Sequence, residues 1–150
     1  MKKTDLEMIR HRVGIRAPRT EVRRGLTTLA GLAGWWTDEV TGDPEAGGKI
    51  EFGVGPGRGC TTEVVEATDE RVVWNVVGGP DEWVGNVITF ALSDEDGETV
   101  LMFTQSWREP VDFMFHCSTK WGYFLLSLKA LLDTGAGTPF PHDLHISSWS

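Results

Sequence analysis

The sequence predicts an α+β fold: a curved antiparallel sheet of about six strands around a long C-terminal helix, with two short helices after the first strand. Three observations carry this. The apolar period switches from 2 to 3.6 at Pro110. Before that point, short alternating runs are separated by tight turn signals, which implies an antiparallel meander. A stretch of helical spacing follows the first alternating run.

The first strand is expected over Leu6 to Arg16. Ile9, His11, Val13 and Ile15 fall on one face, while Arg10, Arg12 and Arg16 fall on the other. Pro18 ends it and Thr20 is the expected helix cap. Val22, Leu26, Leu29, Ala30 and Ala33 recur at helical spacing, and the glycines at 25, 31 and 34 predict two short pieces meeting near Gly31. A polar loop is expected from Thr37 to Gly48.

Five strand signals come next: Lys49 to Val54, Arg58 to Ala67, Arg71 to Val77, Trp83 to Leu92 and Thr99 to Trp107. Gly55-Pro56-Gly57, Asp69-Glu70, Gly78-Gly79-Pro80-Asp81 and Asp94 to Glu98 separate them as turns. The glycine-rich run from Gly53 to Gly59 lacks the Lys-Ser/Thr ending of a phosphate loop and reads as a hairpin. The final helix is expected at roughly 111–133, with Pro110 in its first turn. Phe113, Cys117, Trp121, Phe124, Leu128 and Leu131 make its apolar stripe. Gly135 and Gly137 end it, and the tail reads as irregular.

Composition narrows the function classes. The 150 residues fit one domain over 1–150, large enough to bury a core without disulfides or a structural metal. A net charge of −8 argues against a nucleic-acid partner. The early arginines, Arg10, Arg12, Arg16, Arg19, Arg23 and Arg24, read first as a solvated face. No segment has the run of apolar residues of a membrane span, so no stable membrane insertion is expected. Cys60 and Cys117 form no metal-spacing motif, and His142 and His145 lack a third ligand. No metal and no cofactor is expected. No secretory signal is legible at the N-terminus, so the cytoplasm is the expected compartment, with both thiols free.

Several stretches resemble a known family. They are Trp35-Trp36 followed by Gly47-Gly48-Lys49-Ile50, then Glu63-Val64-Val65-Glu66 leading to Arg71-Val72-Val73-Trp74. The most specific is Trp121-Gly122-Tyr123-Phe124-Leu125-Leu126-Ser127-Leu128-Lys129, with Asp133-Thr134-Gly135 and Gly137-Thr138-Pro139 after it. Together they resemble the START-like (SRPBCC, Bet v 1-like) superfamily, whose fold is the helix grip. Within it they are closest to the group named after the activator of the heat-shock protein 90 ATPase. The resemblance implies a cavity between sheet and helix that takes lipids, polyketides or other apolar ligands. It implies no universal catalytic residue.

A cavity of this kind needs apolar walls and a few polar groups that orient the ligand. The candidate wall residues are Phe52, Trp74, Phe90, Phe103, Trp107, Phe113, Cys117, Trp121 and Phe124, and core packing is the first explanation of each. His11, on the apolar face of the first strand, is the candidate polar group. Cys117 reads as a small buried thiol, since nothing near it in sequence would activate it. No catalytic residue is assigned.

The leading expectation is non-enzymatic binding of a small apolar molecule. An enzyme of cyclase or dehydratase type on such a ligand is the alternative, with His11 as its acid or base. A role with a protein partner, as chaperone co-activator or as toxin of a stress-response module, is the third reading. A homodimer is compatible with all three.

Overall fold

The computed structural model describes residues 8–149. The first strand, β1, spans Met8–Ile15, and Leu6 and Glu7 of the predicted strand lie outside the described residues. Two short helices follow, α1 (Arg19–Thr27) and α2 (Leu29–Trp35). Then come β2 (Glu39–Gly42), β3 (Lys49–Gly53), β4 (Gly59–Ala67), β5 (Arg71–Gly78), β6 (Val87–Glu95) and β7 (Glu98–Ser106). The chain continues into α3 (Phe113–Thr134).

All strand pairs are antiparallel, in the order β1-β7-β6-β5-β4-β3-β2. The meander thus runs from β2 to β7, and β1 closes onto β7 with His11 opposite Phe103. The sheet has seven strands where about six are predicted. The added strand, Glu39–Gly42, lies in the predicted polar loop. Only Val40 in it is apolar, so an edge strand with one inward side chain carries almost no alternation to read.

Two register shifts interrupt the pairing of β4 with β5, between Thr61 and Thr62 and between Val64 and Glu66. The inward set changes accordingly, from Cys60, Thr62 and Val64 to Ala67. Such a bulge bends the strand and deepens the curl of the sheet.

The helical boundaries differ from the sequence expectation at several points. The break between the short helices falls at Thr28, not at Gly31. Thr28 caps α2 by accepting the Gly31 N–H at 3.0 Å. Thr20 is not the cap, because α1 starts two residues earlier, at Arg19, with Pro18 in the cap position. Gly31 has a different use: a Cβ there would sit 2.7 Å from the Gly25 Cα, so the two helices cross backbone to backbone. Trp35 of α2 fixes that crossing by donating its indole N–H to the Gly25 carbonyl at 2.9 Å.

The predicted strand Trp83 to Leu92 begins only at Val87. Trp83 and Val84 both donate backbone N–H groups to Pro80, a helical turn that Gly85 ends at φ +91°. Pro110 stands before α3 rather than in its first turn; a separate turn from Val111 to Met114 leads in. At the other end Gly135, in the left-handed region, closes the helix onto the Leu131 carbonyl as predicted.

The early arginines lie on the outside. Arg12 pairs with Glu95, Arg19 with Asp94, and Arg23 with Asp69 and Glu45, all at least one-third exposed. Pairs this wet add little stability. The core lies between the concave face of the sheet and the inner stripe of α3, where Cys117, Trp121, Phe124, Leu125 and Leu128 are buried.

Candidate functional site

The concave face is paved with rings. Phe52, Trp74, Phe90 and Phe103 come from four strands, and Phe90 faces Phe103 across the β6–β7 pair. Trp36, at the end of α2, lies 4.1 Å from Phe52 and 4.9 Å from Trp121 between ring centroids. Trp121 reaches down from α3 to Phe103 at 4.5 Å. Its indole N–H donates to the buried Gln105 Oε1 at 2.7 Å. These rings fill the middle of the grip, so the helix is held on solid packing there.

Packing gives way at one end. A cavity of about 600 Å³ opens where the β3–β4 turn, the β5–β6 loop, the first half of α3 and the C-terminal tail converge. That volume suits a drug-sized molecule. Phe52 and Trp36 form its floor together with Trp121 and Phe124. Trp83 and Pro80 wall it from the β5–β6 loop, and Phe113, His116, Cys117 and Lys120 from the helix. The tail supplies Phe140, Asp143, His145 and Trp149.

The tail is a strap with defined anchors. Phe140 exchanges backbone hydrogen bonds with the Trp36–Asp38 segment, at 2.8 and 3.2 Å, and a cis peptide joins it to Pro141. Asp143 pairs with Lys120 of α3, with side chains only 11% and 16% exposed, and Lys120 also donates to the Leu144 carbonyl. Ser147 bonds His116 Nδ1 at 2.6 Å. Trp149 packs edge-on against both Phe113 and His116 and accepts from Arg58 through its carbonyl.

The polar lining is mostly basic. Arg58, Lys120, His116 and His145 face one carboxylate, Asp143, among the described lining residues. Burial, together with the nearby positive charges of Lys120, Arg58 and His145, holds the His116 pKa below the usual histidine range. The Cys117 thiol is pushed up to about 12 by burial, and the adjacent Trp83 side chain offsets this only in part. Cys60, also on the wall, is likewise raised to about 12 by burial. Burial thus disfavours the thiolate form of both.

Of the ten residues singled out from sequence, Phe52, Phe113, Cys117, Trp121 and Phe124 line this cavity. Trp74, Phe90, Phe103 and Trp107 are buried outside its lining, in the packed core. His11 does not line it either. Its Nε2 lies 3.2 Å from Ser118 Oγ, and its ring sits beside Phe103 and against Gly122. The imidazole therefore finds its partner on α3, in the seam between β1 and the helix. Sequence reasoning missed Trp36, Trp83, Lys120 and the tail residues. Trp36 stood after the predicted helices, Trp83 opened a predicted strand whose first residues instead form a turn, and the tail has no periodicity to mark an inward side.

A curved antiparallel sheet gripping a C-terminal helix, with a cavity at the helix's leading end, defines a START-like domain of the helix-grip type. The chain belongs to the activator of Hsp90 ATPase homolog 1-like protein family, whose model matches residues 16–133. Among curated proteins no match is found. Among solved structures, the chain is similar to an Aha1 dimer from Colwellia psychrerythraea, determined in solution. The two share 40% identity and a TM-score of 0.79, over 87% of this chain and 98% of that one. DynU16, from the dynemicin biosynthetic locus, is 22% identical with a TM-score of 0.74, over 87% of this chain and 49% of its own. Protein MLL2253 of Mesorhizobium loti is 21% identical with a TM-score of 0.73, over 84% and 96%. The last two likenesses concern the fold alone.

Proposed function

We propose that this protein binds a small apolar molecule in the cavity at the leading end of α3. One observation carries the reading: about 600 Å³ of space walled by Trp36, Phe52, Trp83, Trp121 and Phe124, with a few polar side chains among them. Aromatic walls with a few localised polar groups are the usual form of a small-molecule site. Binding rather than turnover is favoured because both wall thiols are held protonated and His11 is committed to Ser118.

The test is direct. A panel of lipids, flavonoids and polyketides is added to the purified protein, and Trp emission and thermal melting are followed. A ligand at 100 times its Kd stabilises the fold by about 2.7 kcal/mol, a rise of a few degrees. Emission changes with it, because four of the lining residues are Trp36, Trp83, Trp121 and Trp149. A panel that moves neither signal overturns the proposal.

A second reading, self-association, is supported by the similar Aha1 dimer and by the outer face of α3, where Phe115 and Leu126 are 77% and 59% exposed. These residues are eleven positions apart, about three helical turns, and so share one face. Sedimentation at several concentrations tests it; a monomer throughout overturns it.

A further inference from the structure

The charge pattern of the cavity says more about its ligand than its volume does, if the binding reading above holds. The only carboxylate among the described lining residues belongs to the strap, not to the sheet or the helix. That carboxylate, Asp143, sits on the Lys120 ammonium in a nearly buried pair. Lys120 rises from α3 just beyond the Phe113–Cys117 wall, and its Nζ is 5.5 Å from the Phe124 ring centroid. The ammonium thus stands beside the aromatic floor of a cavity that Arg58, His116 and His145 also line.

A nearly buried ammonium needs an anion or several acceptors, because desolvation is costly without them. In this structure the strap supplies both, through Asp143 and the Leu144 carbonyl. A ligand with a flat apolar body and a carboxylate at one end can take over the same position. Its rings would lie on Trp121, Phe124 and Trp36, and its carboxylate would reach Lys120. A neutral ligand of the same shape gains the rings but leaves the Lys120–Asp143 pair in place.

We propose that the cavity selects apolar monocarboxylic acids, whose carboxylate exchanges with Asp143 for Lys120 and so releases the C-terminal strap. No bond is made or broken in this exchange; one ion pair replaces another. Asp143 then moves to solvent, where a free carboxylate is well hydrated.

The experiment uses 9-anthracenecarboxylic acid and its primary amide, titrated against the whole protein at neutral pH with Trp quenching as the readout. The acid is expected to bind about tenfold more tightly than the amide, the value of one charge-assisted hydrogen bond. Asp143→Asn removes the competitor and is expected to raise affinity for the acid several-fold relative to the amide. Lys120→Gln is expected to erase the difference between the two probes. The gain in Asp143→Asn cannot arise from misfolding, and the amide, titrated on the same variant, is the reference against which the acid is read. Chymotrypsin cleavage after the exposed Leu144 is expected to quicken with the acid and not with the amide. Equal binding of acid and amide, or a loss of acid affinity in Asp143→Asn, overturns this inference and leaves the binding proposal standing. Failure of both probes together with the wider panel overturns both.

Discussion

Trp121 and Gln105 meet at 2.7 Å through the indole N–H and the amide oxygen, and this buried bond pins α3 to β7. Gln105 is fully buried and its amide nitrogen has no partner among the described residues. Everything it gains therefore comes through Trp121. Trp121→Phe keeps a ring of related shape but leaves both ends of the amide unmet. It is expected to cost about 1–3 kcal/mol, plus the lost packing of the larger ring. Urea denaturation with an unchanged m-value is the check.

His11 and Ser118 provide a second link between sheet and helix, at 3.2 Å. The pair is part-buried and lies outside the cavity lining. Ser118→Ala is expected to lower stability by about 0.5–1.5 kcal/mol. His11→Gln is expected to change melting slightly and to leave ligand affinity unaltered. A loss of affinity in His11→Gln at unchanged stability would move this residue into the binding site.

The α1–α2 crossing depends on a missing side chain. At Gly31 a Cβ would lie 2.7 Å from the Gly25 Cα and 2.8 Å from the Arg24 carbonyl oxygen, both backbone atoms. Neither can yield by a side-chain rotation. Although Ala is the better helix former, Gly31→Ala is expected to destabilise the protein by about 1–3 kcal/mol, as overpacking does. A thermal melt decides the sign, and an unchanged or raised Tm would refute the close crossing.

Alkaline pH should weaken the fold through its thiols. Cys60 and Cys117 ionise near 12 when folded, against an ordinary value of 9.0. Between those values the unfolded chain loses a proton that the native state keeps. Stability is therefore fully present below pH 9 and falls as pH rises towards 12, on the order of 1 kcal/mol per pH unit for each thiol. Denaturation at pH 8, 9.5 and 10.5 reads the slope directly. Cys60→Ala shifts the whole curve down by the cavity it leaves, and flattens its alkaline limb.

His116 gives the opposite slope at mildly acid pH. Its folded pKa lies below the unfolded one, so the unfolded state takes up a proton first. Stability is complete above pH 6.5 and declines as pH falls through the lowered value. Removing Lys120, whose charge contributes to that lowering, should shift the decline. NMR titration of the His116 ring in wild type and Lys120→Gln checks it, with a higher pKa expected in the variant.

The sequence by itself determined the class of fold, the first strand, most of the meander and the final helix. Those are local facts. Alternation in β1 and β3 and the stripe from Phe113 to Leu131 follow from which residues face the core, and periodicity records that one residue at a time. Four strand rings, Phe52, Trp74, Phe90 and Phe103, stood out as candidates for wall or core, but a one-residue error flips the face of a strand, and only the structure shows all four buried.

What those rings enclose was decided only in three dimensions. Their pairwise distances show that they fill the centre of the grip, so the open space is displaced to the end of the helix. Periodicity reports that a side chain is inward, not whether its neighbours leave a gap. The strap escapes sequence reading altogether. Phe140, Asp143 and Trp149 sit in a segment without repeat or regular ladder. Each is held by a partner more than twenty positions away: Trp36, Lys120 and Phe113. Long-range pairing of an irregular segment leaves no local pattern, because its energy resides in the contact and not in the spacing.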